Sequence, residues 1–161
     1  MFKKILVGID DGETCQIIFN KAIALAQPIG AELSLLSVLV PADRTSPAIP
    51  TTAGGIYTSS GLDDSVWSVY QERYEAYEAS DLDRLRDFAD RANAVGVKTE
   101  FAQMAGSPGW AICERAKLCG ADLVMVGSHG RMGLSEMLLG SVSNYVMHHA
   151  ACSVLVVHEP V

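Results

Sequence analysis

Asp122-Leu123-Val124-Met125-Val126-Gly127-Ser128-His129-Gly130 is the stretch on which the fold turns. It opens with an apolar run too short for an ordinary helix and ends in two glycines three residues apart. A strand apolar on both sides must be covered on both sides, as inside a parallel sheet with helices on each face. Working outward, similar short runs recur at Lys3–Ile9, Leu33–Val40, Val97–Met104 and Ser153–His158. Between them the period changes. From Glu13 the apolar residues Cys15, Ile18, Phe19, Ala22, Ile23 and Ala26 recur at three- and four-residue steps, and the pattern closes near Pro28-Ile29-Gly30, as an amphipathic helix does. A long helix is read from about Val66 to Ala94, with Val69, Tyr70, Arg73, Tyr77, Leu85, Phe88, Ala89 and Ala92 on one face. Ser107-Pro108 supplies an N-cap and a first-turn proline for a helix through Leu118, stopped by Gly120. Gly140-Ser141 opens a last helix that reaches about His149.

The resulting order, β-α-β-α-β-α-β-α-β without an internal repeat, predicts an α/β fold with a mainly parallel sheet and right-handed crossovers. In such sheets ligands sit beyond the carboxyl ends of the strands, where the strand order reverses. The first strand ends in Asp10-Asp11-Gly12 and the fourth in Gly127-Ser128-His129-Gly130. Function is sought at those two ends.

The chain of 161 residues suits one domain spanning 1–161 with a continuous core. The stretch from Pro41 to Ser65, rich in Pro, Gly, Ser and Thr, is expected to be a flexible loop of about 41–65, because it has little apolar surface to offset the entropy of ordering. No apolar run approaches the roughly 20 residues of a membrane span. The basic and then apolar N-terminus meets Asp10 and Asp11 too soon for a leader and reads as a first strand. Cys15, Cys113, Cys119 and Cys152 show no metal-ligand spacing and are expected to be reduced, buried thiols of a cytoplasmic protein.

The net charge of -7 speaks against nucleic acid as a partner. Its placement matters more than its sum. Nine acids against three arginines lie between Asp63 and Asp90, whereas five basic and five acidic residues follow Asp90. The glycine-rich C-terminal half therefore carries no excess charge hostile to an anion.

That half contains Gly127-Ser128-His129-Gly130-Arg131-Met132-Gly133-Leu134-Ser135-Glu136-Met137-Leu138-Leu139-Gly140-Ser141-Val142-Ser143. Glycines after a buried strand let backbone approach a ligand closely, and successive amides there form a concave anion site. Gly140, Ser141 and Ser143 stand at a helix start, where unpaired N–H groups and the positive end of the macrodipole face outward. The segment is neither a Walker A loop, since it lacks Gly-Lys-Ser/Thr, nor a first-strand Rossmann fingerprint. On spacing alone a phosphate cradle and a plain structural turn are both open readings.

Gly127, Gly130, Gly140 and Ser141 also match, without a gap, the pattern G-x2-G-x9-G-(S/T) of the ATP-binding branch of the universal stress proteins. The flanks Ala121–Gly130 and Gly140–Val157, together with Ile5-Leu6-Val7-Gly8-Ile9-Asp10, resemble that family as well. The resemblance implies a single-domain, doubly wound, five-stranded parallel sheet of the adenine nucleotide alpha hydrolase-like type, with strand order 3-2-1-4-5. It implies that Asp10 lies beside the nucleoside and that Val38 offers backbone to adenine. Gly127, Ser128, Gly130, Gly140, Ser141, Val142 and Ser143 would hold ribose and phosphates, with His129 and Arg131 in the same loop. Two departures stand out: Asp11-Gly12-Glu13 replaces the usual Gly-Ser after Asp10, and Ser153 stands where proline is common.

The expected ligand is ATP, with Mg or Mn carried by the nucleotide, and no metal site of the protein's own. His148 and His149 are adjacent and point to different helix faces, unlike the i, i+4 pair of a zinc site. Phosphates held mainly by backbone amides suit retention better than cleavage, which needs a positioned water and positive charge at the transferring group. No catalytic residue is assigned, and slow or negligible hydrolysis is expected from a regulatory or stress-response module. A true ATPase or phosphotransferase, and a dimeric adaptor in which nucleotide is incidental, are the alternatives. The resemblance further implies a homodimer through the strand 153–158; an unidentified regulatory protein partner is expected of such a module, and no membrane partner.

Overall fold

The structure, a computed structural model, describes residues 1–12, 14–41, 46–50, 64–128 and 140–158. In chain order the elements are β1 (Lys4–Gly8), α1 (Cys15–Ile29), β2 (Glu32–Leu39), α2 (Asp64–Ala94), β3 (Thr99–Ala105), α3 (Pro108–Cys119), β4 (Leu123–Gly127), α4 (Ser141–His149) and β5 (Ser153–Val157). The five strands form one sheet in the order β3-β2-β1-β4-β5, and every pairing is parallel. The expected fold class and strand order are both found.

Side-chain alternation sorts the strands onto two faces. Ile5 and Val7 of β1, Leu33 and Leu35 of β2, and Leu123 and Met125 of β4 pack with Phe19 of α1 and with Leu85 and Phe88 of α2. Leu6, Leu36, Val38, Val124 and Val126 point the other way, onto Ile112 of α3 and Val146 of α4. Helices α1 and α2 therefore cover one face, and α3 and α4 the other. Gly30 and Gly120 end α1 and α3 at φ 67° and 68°, the left-handed conformation in which an L side chain is strained. Ser107 does occupy the N-cap position of α3 ahead of Pro108, but its side chain makes no capping hydrogen bond.

Two expectations are corrected. The apolar face proposed for α2 is covered only in its C-terminal half. Asp81, Leu85, Phe88, Ala89 and Ala92 are buried, while Val69 and Arg73 are exposed and Tyr70 and Tyr77 half-buried. A helix of 31 residues is roughly 46 Å long. The eight residues of β2 span only about 26 Å, so one end of α2 outruns the sheet. Among the cysteines, only Cys113 is buried; Cys15, Cys119 and Cys152 are half-buried, and all four are free thiols. Burial raises the pKa of Cys15, Cys113 and Cys152 above the ordinary thiol value. No helix among the described residues is long and apolar enough to cross a membrane.

Candidate functional site

The strand order reverses between β1 and β4, so the carboxyl ends of these two strands open a crevice. β1 leaves the sheet first. The Ile9 N–H donates to the Leu36 carbonyl at 2.8 Å, and the chain then turns at Asp10. There the Gly12 N–H donates to Asp10 Oδ1 at 3.0 Å. Asp10 is half-buried at the lip of the crevice. Its carboxylate closes its own turn instead of capping α1, whose N-cap position belongs to Thr14.

The early departure of β1 uncovers part of β2. Odd-numbered residues of β2 direct their peptide groups toward β3: Leu33 N–H donates to Lys98 at 2.9 Å, and Gly106 N–H donates to Leu39 at 3.0 Å. Even-numbered residues face β1, as the bonds from Glu32 N–H to Lys3 and from Ile9 N–H to Leu36 show. Val38 is the next even residue, past the end of β1. Its N–H and C=O lie in the sheet plane, facing the opening, with no hydrogen-bond partner among the described residues. Unpaired backbone groups of this kind are a rare and costly feature unless a ligand or water meets them.

The opposite wall is built almost wholly from backbone. β4 ends at Gly127, and the Ser128 N–H donates to the Val157 carbonyl at 2.8 Å. The chain returns to the same point at Gly140, whose N–H donates to the Ser128 carbonyl at 2.7 Å. The Ser143 hydroxyl lies 2.9 Å from the Gly140 carbonyl and 3.3 Å from that of Ser128. Gly140 and Ser143 are read from sequence as ligand-holding residues; here the Gly140 N–H and the Ser143 hydroxyl are committed to joining the helix start to the strand end. The N–H groups of Ser141, Val142 and Ser143 have no acceptor among the described residues, and they point out of the N-terminus of α4 beside Gly127. His129, Gly130 and Arg131 lie outside the described residues.

The structure therefore brings Asp10, Val38, Gly127, Ser128 and Gly140–Ser143 to the same end of the sheet. In-plane amide and carbonyl groups on one wall suit the edge of a heteroaromatic base. Three convergent amides on the other suit an anion. A nucleoside polyphosphate offers both chemistries in one molecule, and this donor set fits it.

Sequence reading missed a set of side chains behind the first wall. Asp81 is buried on α2, with Oδ1 accepting from the Ser37 hydroxyl at 2.9 Å and Oδ2 from Gln103 Nε2 at 2.6 Å. Arg84 reaches Asp81 Oδ1 with Nη2 and the carbonyl of Asp10 with Nη1. The half-buried thiol of Cys15 registers the same charges: burial raises its pKa, Arg84 pulls it down, and Asp10 and Asp11 push it up. The signal was present as an acid at the first core-facing position of an otherwise apolar helix stripe, with an arginine three residues on.

Comparison with known proteins agrees with this architecture. The model of the family described as "Universal stress protein family" matches residues 1–158. Universal stress protein Slr1101 of Synechocystis is 44% identical over 105 residues, covering 65% of this chain and 96% of that protein. Universal stress protein Sll1388 of the same organism is 33% identical over 158 residues, covering 98% of this chain and 99% of its own length. Among solved structures, that of MJ0577, a Methanocaldococcus jannaschii protein, superposes with a TM-score of 0.76 at 27% identity over 100% of this chain and 99% of that one.

Proposed function

Since the chain belongs to the universal stress protein family, we propose that it is an ATP-binding member acting as a regulatory module, with little or no turnover of the nucleotide. The observation that carries this reading is that the Val38 backbone and, at the same end of the sheet, the amides of Ser141, Val142 and Ser143 have no hydrogen-bond partner among the described residues. In this reading adenine lies against Val38, and Asp10 meets the ribose. The triphosphate rests on Gly127, Ser128 and the start of α4, completed by His129, Gly130 and Arg131. Mg2+ or Mn2+ arrives on the nucleotide and neutralises part of its charge.

Slow or absent hydrolysis is part of the proposal. The described part of the phosphate wall is made of amides and serines, which hold an anion but supply neither a general base nor a positive side chain for the transferring group. The regulatory role follows from retention: occupancy by ATP is a state that a protein partner can read.

The whole chain is proposed as one domain working as a homodimer. β5 is the outermost strand, paired with β4 on one side only, and Leu155 is exposed on it. Such an edge is a template for a second copy. The four free thiols suit the reducing cytoplasm.

The direct test is to denature the purified protein and identify any nucleotide released, then to titrate stripped protein with Mg-ATP in a calorimeter. Release or uptake of one adenine nucleotide per chain is expected. No heat at millimolar Mg-ATP overturns the reading. Light scattering that finds a monomer at high concentration overturns the dimer.

A further inference from the structure

Asp81 and Arg84 form more than an ion pair on a helix. The Asp81 side chain is buried, and a carboxylate there is tolerable only when donors surround it. It receives Ser37 of β2, Gln103 of β3 and Arg84 of its own helix. Gln103 Nε2 also donates to the Glu78 carbonyl at 3.1 Å. Arg84 then forks: one nitrogen lies on Asp81 and the other on the carbonyl of Asp10, a contact across 74 positions of sequence. The ends of β1, β2 and β3 and the middle of α2 are tied at one point. Two residues assigned to the nucleoside adjoin it directly: Asp10, whose peptide plane Arg84 holds, and Val38, which follows Ser37.

We propose that Arg84 is the positioning residue of the nucleoside half of the site. Its planar fork, locked on Asp81, fixes the Asp10 peptide and with it the distance from the Asp10 carboxylate to the Val38 backbone. This inference rests on the nucleotide reading given above. A guanidinium is required because two acceptors in different directions must be met by one rigid group. Lysine carries the charge but meets only one of them as strongly. A role confined to packing could be filled by apolar side chains of similar volume.

The test compares Mg-ATP with adenosine, which lacks phosphates, by calorimetry on the full chain. Arg84→Gln is expected to weaken both by about tenfold, leaving their ratio unchanged, because the phosphate wall is untouched. Arg84→Lys keeps the charge and is expected to lose about fivefold for both; it serves in place of the glutamine variant should that one not fold. Val97→Ala, at the far end of the sheet, is the stability control: it lowers the melting temperature and leaves both affinities unchanged. Adenosine binding by folded Arg84→Gln at wild-type strength overturns the proposal, as does full rescue by lysine, which would make charge and not geometry the cause. If the unmutated protein binds neither ligand, the nucleotide reading itself falls, a result separate from any variant-specific loss.

Discussion

The two walls of the crevice are held in place by different means. The wall of Asp10 and Val38 is mounted on a side-chain network of the half-buried Arg84 and Gln103 and the buried Ser37, with buried Asp81 at its centre. The wall of Gly127–Ser128 and Gly140–Ser143 is mounted on main chain, through the Ser128–Val157 and Gly140–Ser128 bonds. A side-chain mount depends on a few residue identities, and losing one strands its partners in the core. A main-chain mount tolerates most substitutions and is sensitive to volume and charge at the helix start.

The most damaging single change on this account is Asp81→Ala. It leaves Arg84, Gln103 and Ser37 without their shared acceptor, and about 3 kcal/mol of stability should be lost in urea unfolding. A loss under 1 kcal/mol would mean that the network rearranges freely and that the first wall is not side-chain mounted. Next comes the packing that sets α4 against α3. A Cβ on Gly109 would lie 2.8 Å from the Tyr145 ring, so Gly109→Ala should cost roughly 1–3 kcal/mol. Tyr145→Ala combined with it should recover part of that cost, which a double-mutant cycle measures.

Ser141→Asp separates the walls by charge. An acid in the first turn of α4 favours the helix dipole by about 0.5 kcal/mol. It should nevertheless cut Mg-ATP affinity by about tenfold while leaving adenosine binding unchanged. Equal loss for both ligands would merge the two walls into one. Ser143→Ala tests the main-chain side more gently. Removing the hydroxyl that bridges Gly140 and Ser128 should cost about 1 kcal/mol, with a smaller loss of ATP than Ser141→Asp produces.

The smallest effect is one of pH. The pKa of Cys15 is raised in the folded protein, chiefly by burial. The folded state thus holds a proton that the unfolded chain releases near the ordinary thiol value of 9.0. This contribution is fully present below that value and is lost as pH rises through the folded pKa. Urea midpoints should fall modestly above pH 9, and Cys15→Ala should flatten the fall. An unchanged slope would mean that burial does not hold the Cys15 proton in the folded state.

The uneven legibility of the two walls has the same origin. Gly127, Gly140, Ser141 and Ser143 could be found in sequence because a turn and a helix start draw on neighbouring residues. Val38 owes its role to the register that leaves it one step beyond the end of β1, and only the family resemblance pointed to it. Asp81, Arg84, Ser37 and Gln103 were passed over because their bonds cross 22, 44 and 74 positions. Ser107 shows the converse. The Ser-Pro signal placed the start of α3, yet the expected side-chain bond is absent.

Local chemistry in the chain was enough to order nine elements, to stop α1 and α3 at Gly30 and Gly120, and to single out the segment around Gly127. Periodicity and left-handed glycines act within a few residues, so they can be read without knowing what lies opposite. Tertiary structure alone decided which peptide groups lost a neighbouring strand, how much of α2 met the sheet, and which acid in a run of nine was buried with three donors. Those are properties of pairing and coverage between distant segments, and they come into being only when the sheet closes.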